Sequence, residues 1–290
     1  MRIHGPVLVG TDFSEASDEA LRQGYQFASA LGTSLIVCHV VPDLETVNVL
    51  FPQLASRDAD RQRLLADKAL AALEHQAAAT LGDAATNVKA VVEAGTAHAG
   101  LLTQADATGA GLIVLGPGRT ADRVVRHATV PALIARQCPR GSVIGATDFS
   151  DPSFPALEAA ASEARRRGSR LQLLHVVDLG TFAIAGAAGA GLPSVPGSMS
   201  LPLVALDDLR RAAQHKLGDE LARFAMDGEA ITKSGPAAQT IIDLADSAPA
   251  ELVVVGTHGR TGLARLTLGS TAEAVIESAH CSVLVVRLTK

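Results

Sequence analysis

The strongest constraint on this chain is that it repeats itself. VLVGTDFS (Val7 to Ser14) returns as VIGATDFS (Val143 to Ser150), at an offset of 136. LIVCHVV (Leu35 to Val41) returns as LQLLHVV (Leu171 to Val177), at the same offset. AGLIVLG (Ala110 to Gly116) returns as AELVVVG (Ala250 to Gly256), at an offset of 140. VPALIAR (Val130 to Arg136) returns as CSVLVVR (Cys281 to Arg287), at an offset of 151. Four blocks in one order indicate a duplicated unit. A length of 290 residues suits two domains of about 150 each.

Each copy alternates short apolar runs with helical stretches. In the first copy strands are expected near 6–10, 34–40, 87–93, 111–115 and 131–136, with helices over Ser14 to Leu31 and Arg57 to Leu81. In the second copy strands are expected near 142–146, 170–177, 229–234, 251–255 and 283–287. Continuous apolar runs suit parallel strands covered on both faces. Asp12 or Ser14, and Asp148 or Ser150, are helix-starting residues. The pattern predicts an α/β chain of two tandem doubly wound, Rossmann-like domains, 1–137 and 142–290. Each would be a five-stranded parallel sheet with helices on both faces. The linker Gln137 to Gly141 is short, so the domains are expected to touch.

Composition removes several functions. The formal charge is −5 and aromatic residues make up 3% with no Trp. Neither the basic face of a nucleic-acid binder nor its base-stacking platform is expected. No 18-residue apolar run exists, and MRIHGPVLVGTD lacks the regions of a signal peptide. A cytoplasmic location without membrane contact is the expectation. Cys38, Cys138 and Cys281 have no metal spacing and read as reduced thiols.

The strongest chemical signal is GTHGRTGLARLTLGST, Gly256 to Thr271, between the apolar run ELVVV and the helical stretch TAEAVIESA. Its pattern is G-x2-G-x9-G-S. Glycines let backbone amides approach an anion and permit positive φ. Gly269, Ser270 and Thr271 fall at a helix N-terminus, where unpaired N–H groups and the helix dipole favour negative charge. Glycines that merely turn the chain are the plainer alternative. The complete strand–loop–helix context favours phosphate binding at the carboxyl edge of the sheet. Asp148 ends the first strand of the second copy on that edge. Its carboxylate could accept hydrogen bonds from ribose hydroxyls or cap the next helix, and spacing does not separate these.

With these motifs in view, the chain resembles the universal stress protein family, over nearly its whole length and twice. The G-x2-G-x9-G-S loop is the mark of that family's ATP-binding branch. The resemblance implies strand order 3-2-1-4-5 and an adenine-nucleotide site in the second copy. Asp148 would hold the ribose, and the backbone at Val176 would meet adenine. Ala146 and Thr147 would line the base and ribose region. Gly256, His258, Gly259, Gly269, Ser270 and Thr271 would surround the phosphates, and Val255 would also belong to the nucleotide site. It also implies an intramolecular pseudo-dimer, with VPALIAR beside CSVLVVR.

The first copy departs at the loop. It reads GPGRTADRVVRHATVPALIAR, with Gly118 and Arg119 where Gly269 and Ser270 stand. The offset rises there from 140 to 151, so about 11 residues are missing. A loop that short cannot wrap a triphosphate, and one competent site per chain is expected. Arg119 reads as a solvated helix-start residue, and Asp12 as a cap. His39 and His175 recur before the edge Val in both copies and read as structural hydrogen-bonding groups. Arg165, Arg166 and Arg167 end a helix, where positive charge suits the dipole.

The reading is an ATP-binding stress-response regulator, with weak or no hydrolysis. Mg²⁺ could accompany the phosphates, held mainly by the nucleotide. Protein partners are unidentified, and a homodimer is open. The Gly180 to Pro202 stretch, rich in Gly, Ala, Ser and Pro, reads as a loop that could cover the nucleotide. The alternative is a nucleotide-independent interaction scaffold. An adenylating enzyme fits poorly, because VGTDFS and GATDFS stand where an SGG-x-DS-type loop would be.

Overall fold

The computed structural model describes residues 4–44, 55–178, 203–257 and 268–287. The chain forms two compact units, 2–137 and 138–288.

The N-terminal unit runs β1 (Val7–Gly10), α1 (Glu15–Leu31), β2 (Leu35–Val41), α2 (Ala55–Leu81), β3 (Val88–Ala94), α3 (Ala97–Thr108), β4 (Leu112–Leu115), α4 (Arg119–His127) and β5 (Ala132–Ile134). The C-terminal unit runs β6 (Ser142–Thr147), α5 (Phe154–Arg167), β7 (Leu171–Val177), α6 (Leu203–Arg223), β8 (Gly228–Ser234), α7 (Ala237–Ser247), β9 (Ala250–Gly256), α8 (Ser270–Ser278) and β10 (Ser282–Val286). All ten expected strands are present, within two residues at each end.

Both units are doubly wound α/β. In the first the strand order is β3-β2-β1-β4-β5, and in the second β8-β7-β6-β9-β10. Every one of these neighbouring pairs is parallel. The winding reverses between β1 and β4, and again between β6 and β9. A cleft opens at such a reversal, beyond the carboxyl ends of the strands.

Burial explains the uninterrupted apolar runs. Every residue of β1, β4 and β10 is buried, while the edge strands β3 and β8 are mostly half-buried. In the first unit α1 packs against α2, and α3 against α4. The two pairs cover opposite faces of the sheet. Helices α1 and α5 both stop on a glycine in left-handed backbone, Gly32 at φ 63° and Gly168 at φ 66°. A Cβ there would be strained, and the turn lets the Thr33 and Ser169 amides reach the carbonyls of Ala28 and Ala164.

The arginines at the end of α5 do more than complement the helix dipole. Glu163, buried in the same helix, takes Arg166 at 2.5 Å and Arg167 at 3.2 Å. Arg167 also reaches Glu251, at the start of β9, at 3.4 Å. The Ser169 hydroxyl donates to Glu251 as well. This network lies at the amino-terminal edge of the second sheet, opposite the cleft.

Candidate functional site

The TDFS segment builds one local device in each unit, directly after the first strand. In the C-terminal unit the Thr147 hydroxyl accepts the Phe149 N–H at 2.9 Å and pairs with Ser153 Oγ at 2.7 Å. Asp148 Oδ1 accepts from the Ser150 N–H at 3.0 Å and from the Ser150 hydroxyl at 2.5 Å. His175 Nδ1 lies 2.8 Å from the Thr147 carbonyl oxygen. A carbonyl only accepts, so Nδ1 carries the hydrogen. The His175 ring stacks on Phe149 with centroids 4.3 Å apart, and Lys216 Nζ stands 4.5 Å from the Phe149 ring centre.

The N-terminal unit repeats this. Phe13 N donates to Thr11 Oγ1 at 3.0 Å, and Ser14 N to Asp12 Oδ1 at 3.1 Å. His39 Nδ1 meets the Thr11 carbonyl at 2.8 Å and its ring lies 4.4 Å from Phe13. The hydrogen bond expected of both histidines is therefore present. The N-cap of α1 is Ser14, whose side chain accepts from Ser17 N. Asp12 braces the turn before the helix and does not cap it.

One feature of the device has no sequence sign. Phe13 and Phe149 have φ of 65° and 61°. Bulky residues rarely adopt this left-handed backbone, which costs on the order of 1–3 kcal/mol. The Thr hydroxyl on the Phe amide, the Asp carboxylate on the next amide and the His ring together hold it. The strain turns the chain sharply out of the sheet and sets the Asp at the cleft.

Hydrogen bonding tunes that carboxylate. Burial alone pushes the Asp12 carboxyl up, but the bonds from the Ser14 side chain and amide, with Ser17, outweigh it and hold it below its ordinary 3.8. A lowered folded-state value stabilises the fold above the unfolded value, and this is lost as pH falls through the lowered one. Asp12→Asn should therefore melt below the parent at neutral pH. The gap should close on titration below about pH 4. A gap constant from pH 7 to pH 3 refutes this.

At the carboxyl edge of β6, β7 and β9 the structure brings together Ala146, Thr147, Asp148, Val176, Val255 and Gly256. β6 pairs directly with β9 on one side and β7 on the other. Thr147 is buried, its hydroxyl is engaged by Phe149 and Ser153, and its carbonyl accepts from His175. After β9 the Thr257 amide donates to the Val286 carbonyl at 3.0 Å, and the Gly269 amide to the Thr257 carbonyl at 2.8 Å. The second bond closes the neck of the glycine loop. His258 and Gly259, like the Gly180 to Pro202 stretch, lie outside the described residues.

Helix α8 begins at Ser270, with Gly269 as N-cap at φ −67° and ψ 144° and no side-chain capping bond. Gly269 is thus in extended backbone, and the positive φ that glycine permits is not used here. Its value is the missing side chain beside the first amides of α8. In the N-terminal unit Gly118 holds the matching place before Arg119, at φ 140°. α4 and α8 are both nine residues long, which supports that pairing. The connection before them spans 116–118 in one unit and 257–269 in the other.

Cys38, on β2, is buried. Burial, then the neighbouring Glu93 charge, pushes its thiol up to about 12. It stays protonated at physiological pH and should be a poor nucleophile. With iodoacetamide at pH 8, mass-mapped labelling should appear at half-buried Cys138 well before Cys38. Equal rates contradict this.

A doubly wound sheet, present twice, with a braced aspartate and an uncapped glycine–helix junction beyond its carboxyl edge defines the architecture. The model of the universal stress protein family matches residues 4–136 and again 140–287. The chain belongs to the universal stress protein family, as a tandem member. Universal stress protein MJ0531 of Methanocaldococcus jannaschii is 35% identical over 144 residues, covering 50% of this chain and 80% of that protein. Universal stress protein Rv1996 of Mycobacterium tuberculosis is 26% identical over 311 residues, covering 97% of this chain and 95% of that one. Among solved structures, a universal stress protein from Archaeoglobus fulgidus covers 98% of this chain and 96% of its own, with TM-score 0.64 and 20% identity. That likeness concerns the fold. No helix among the described residues is long and apolar enough to cross a membrane.

Proposed function

We propose that this chain is an ATP-binding regulatory protein of the stress response, with its ATP site in the C-terminal domain. The observation that carries the reading is the junction at Gly269. There a loop clasped at its neck delivers the chain to an α8 terminus with no side-chain cap. The first-turn amides of a helix terminus favour a phosphate. Asp148 and the backbone at Val176 stand on the same sheet edge and supply the ribose and base contacts. Mg²⁺, if it accompanies the phosphates, is held mainly by the nucleotide. Among the described residues no group of three or more His, Cys, Asp or Glu forms a metal site.

Turnover is expected to be slow or nil. Asp148 is engaged by Ser150, and His175 is committed to the Thr147 carbonyl and the Phe149 ring. Neither is poised to deprotonate a water. Calorimetric titration of the full chain with ATP tests the proposal. One site per chain at micromolar strength is the expected result. Absence of binding at millimolar ATP, in protein shown to be free of carried nucleotide, leaves the nucleotide-independent scaffold.

A further inference from the structure

We propose that the outer edge of β3 pairs antiparallel with the β3 edge of a second copy of this chain, joining two N-terminal sheets into one. β3 ends the strand order of the N-terminal unit, with β2 on its inner side. From Lys89 to Ala94, no other strand and no loop amide among the described residues bonds to its outer rim. Such a row of backbone donors and acceptors is a template for another strand.

The residues of the strand select the occupant. It reads VKAVVEA, Val88 to Ala94. Turned end for end about Val91, it sets Val91 opposite Val91 of the second copy, Ala90 opposite Val92, and Lys89 opposite Glu93. Residues directly opposite in an antiparallel pair share a face and interact. Two opposite-charge pairs therefore form, one on each side of a twofold axis. This self-complementarity is what an isologous dimer requires. Lys89 is exposed and Glu93 half-buried, and neither has an ion pair among the described residues. Glu93 stands on the α3 face, beside Gly100. On the other face α2 packs against β3 and leaves Leu64, Leu65 and Leu70 exposed. A twofold axis perpendicular to the sheet brings α2 of both copies to that same face. Specific dimers bury about 1,200–2,000 Å² in total, so this apolar helix surface has to add to the strand seam.

β8, the matching strand of the C-terminal unit, makes a poorer partner. It reads GEAITKS, with Glu229 and Lys233 reversing the charges of Lys89 and Glu93. Laid antiparallel to β3 of another copy, it would set Lys89 against Lys233 and Glu93 against Glu229. A parallel pairing would match the charges, but β8 is already engaged. Gln214 of α6 donates to the Ala230 carbonyl oxygen at 2.7 Å, and Glu229 pairs with Arg170 at 3.3 Å. β3 thus pairs with its own kind, in a closed dimer rather than an open chain of copies.

The proposal is independent of the nucleotide reading, and sedimentation equilibrium of the full, nucleotide-free chain tests it by charge exchange. The parent is expected to dimerise as concentration rises. Lys89→Glu and Glu93→Lys should each weaken the dimer tenfold or more, because each sets two like-charge pairs face to face. An equimolar mixture of the two single variants should associate again, since every facing pair in the mixed dimer is then opposite in sign. The double variant Lys89→Glu/Glu93→Lys should dimerise like the parent, and Lys233→Glu on β8 should change nothing. Should Glu93→Lys melt early, Lys89→Glu must weaken the dimer more than Lys89→Gln does. A parent that stays monomeric at its highest soluble concentration overturns the proposal, and leaves Lys89 and Glu93 as charges that keep the edge solitary. So does a dimer indifferent to the Lys89 changes, or one that neither the mixture nor the double variant restores.

Discussion

Gly269→Val is expected to weaken ATP binding by roughly 10- to 100-fold, or to abolish it, with little loss of stability. The backbone at 269 is extended, at φ −67° and ψ 144°. β-branched residues accept that region readily, and the Gly269 amide can still clasp the Thr257 carbonyl. What changes is access. A branched side chain would stand beside the first amides of α8, where a phosphate is proposed to sit. A hydrogen bond to a charged group is worth about 1.5–3 kcal/mol, and 1.4 kcal/mol is tenfold in affinity. Ser270→Ala, which removes one exposed hydroxyl, should cost at most one such bond. Calorimetry alongside thermal melts checks both. Unchanged ATP affinity in Gly269→Val, with an unchanged melt, removes α8 from the binding account.

The largest expected effect on stability lies at the opposite edge. Glu251→Ala should destabilise the C-terminal domain by about 2–4 kcal/mol, the cost of losing charge-assisted hydrogen bonds from Arg167 and Ser169 in a buried network. For a domain of this size that is a fall in melting midpoint on the order of 10 °C. The carboxylate and its partner are nearly inaccessible, with side-chain exposures of 9% for Glu251 and 11% for Arg167. Truncation leaves Arg167 with Glu163 as its carboxylate partner, removes the second one, and takes the acceptor from Ser169. The double variant Arg167→Met/Glu251→Leu should recover much of the loss, because apolar replacement of a buried pair is often neutral. A Glu251→Ala melt within about 2 °C of the parent shows the network to be inert. N-terminal loop variants should leave this transition unmoved.

The repeat and the uninterrupted apolar runs made the architecture legible. Runs such as LIVLG and ELVVVG suit strands covered on both faces, and glycines at 32 and 168 stand where helices stop. Of the candidate site, the sequence marked Ala146, Asp148, Val176 and Gly256 as positions near one sheet edge, and the topology puts them there. Its mechanics were not legible. An Asp two residues before a Ser can cap or brace, and only the hydrogen bonds of Asp12 and Asp148 separate these. The left-handed Phe13 and Phe149 carry no sequence sign, since φ there is imposed by neighbours. Glu251 and Arg167 stand 84 residues apart in the chain, so no local pattern announces their pairing. Gly269 invited a positive-φ reading that its own backbone does not need.

The single bond between the Gly269 amide and the Thr257 carbonyl has a broader consequence. It ties the residue after β9 to the residue before α8. Strand pairing and helix docking are thus joined by a bond that needs no side chain from the sequence between them. The N-terminal half, whose connection has shrunk to 116–118 while its sheet and nine-residue helix persist, shows the outcome. The scaffold of a duplicated half can therefore persist while the segment at its cleft changes length.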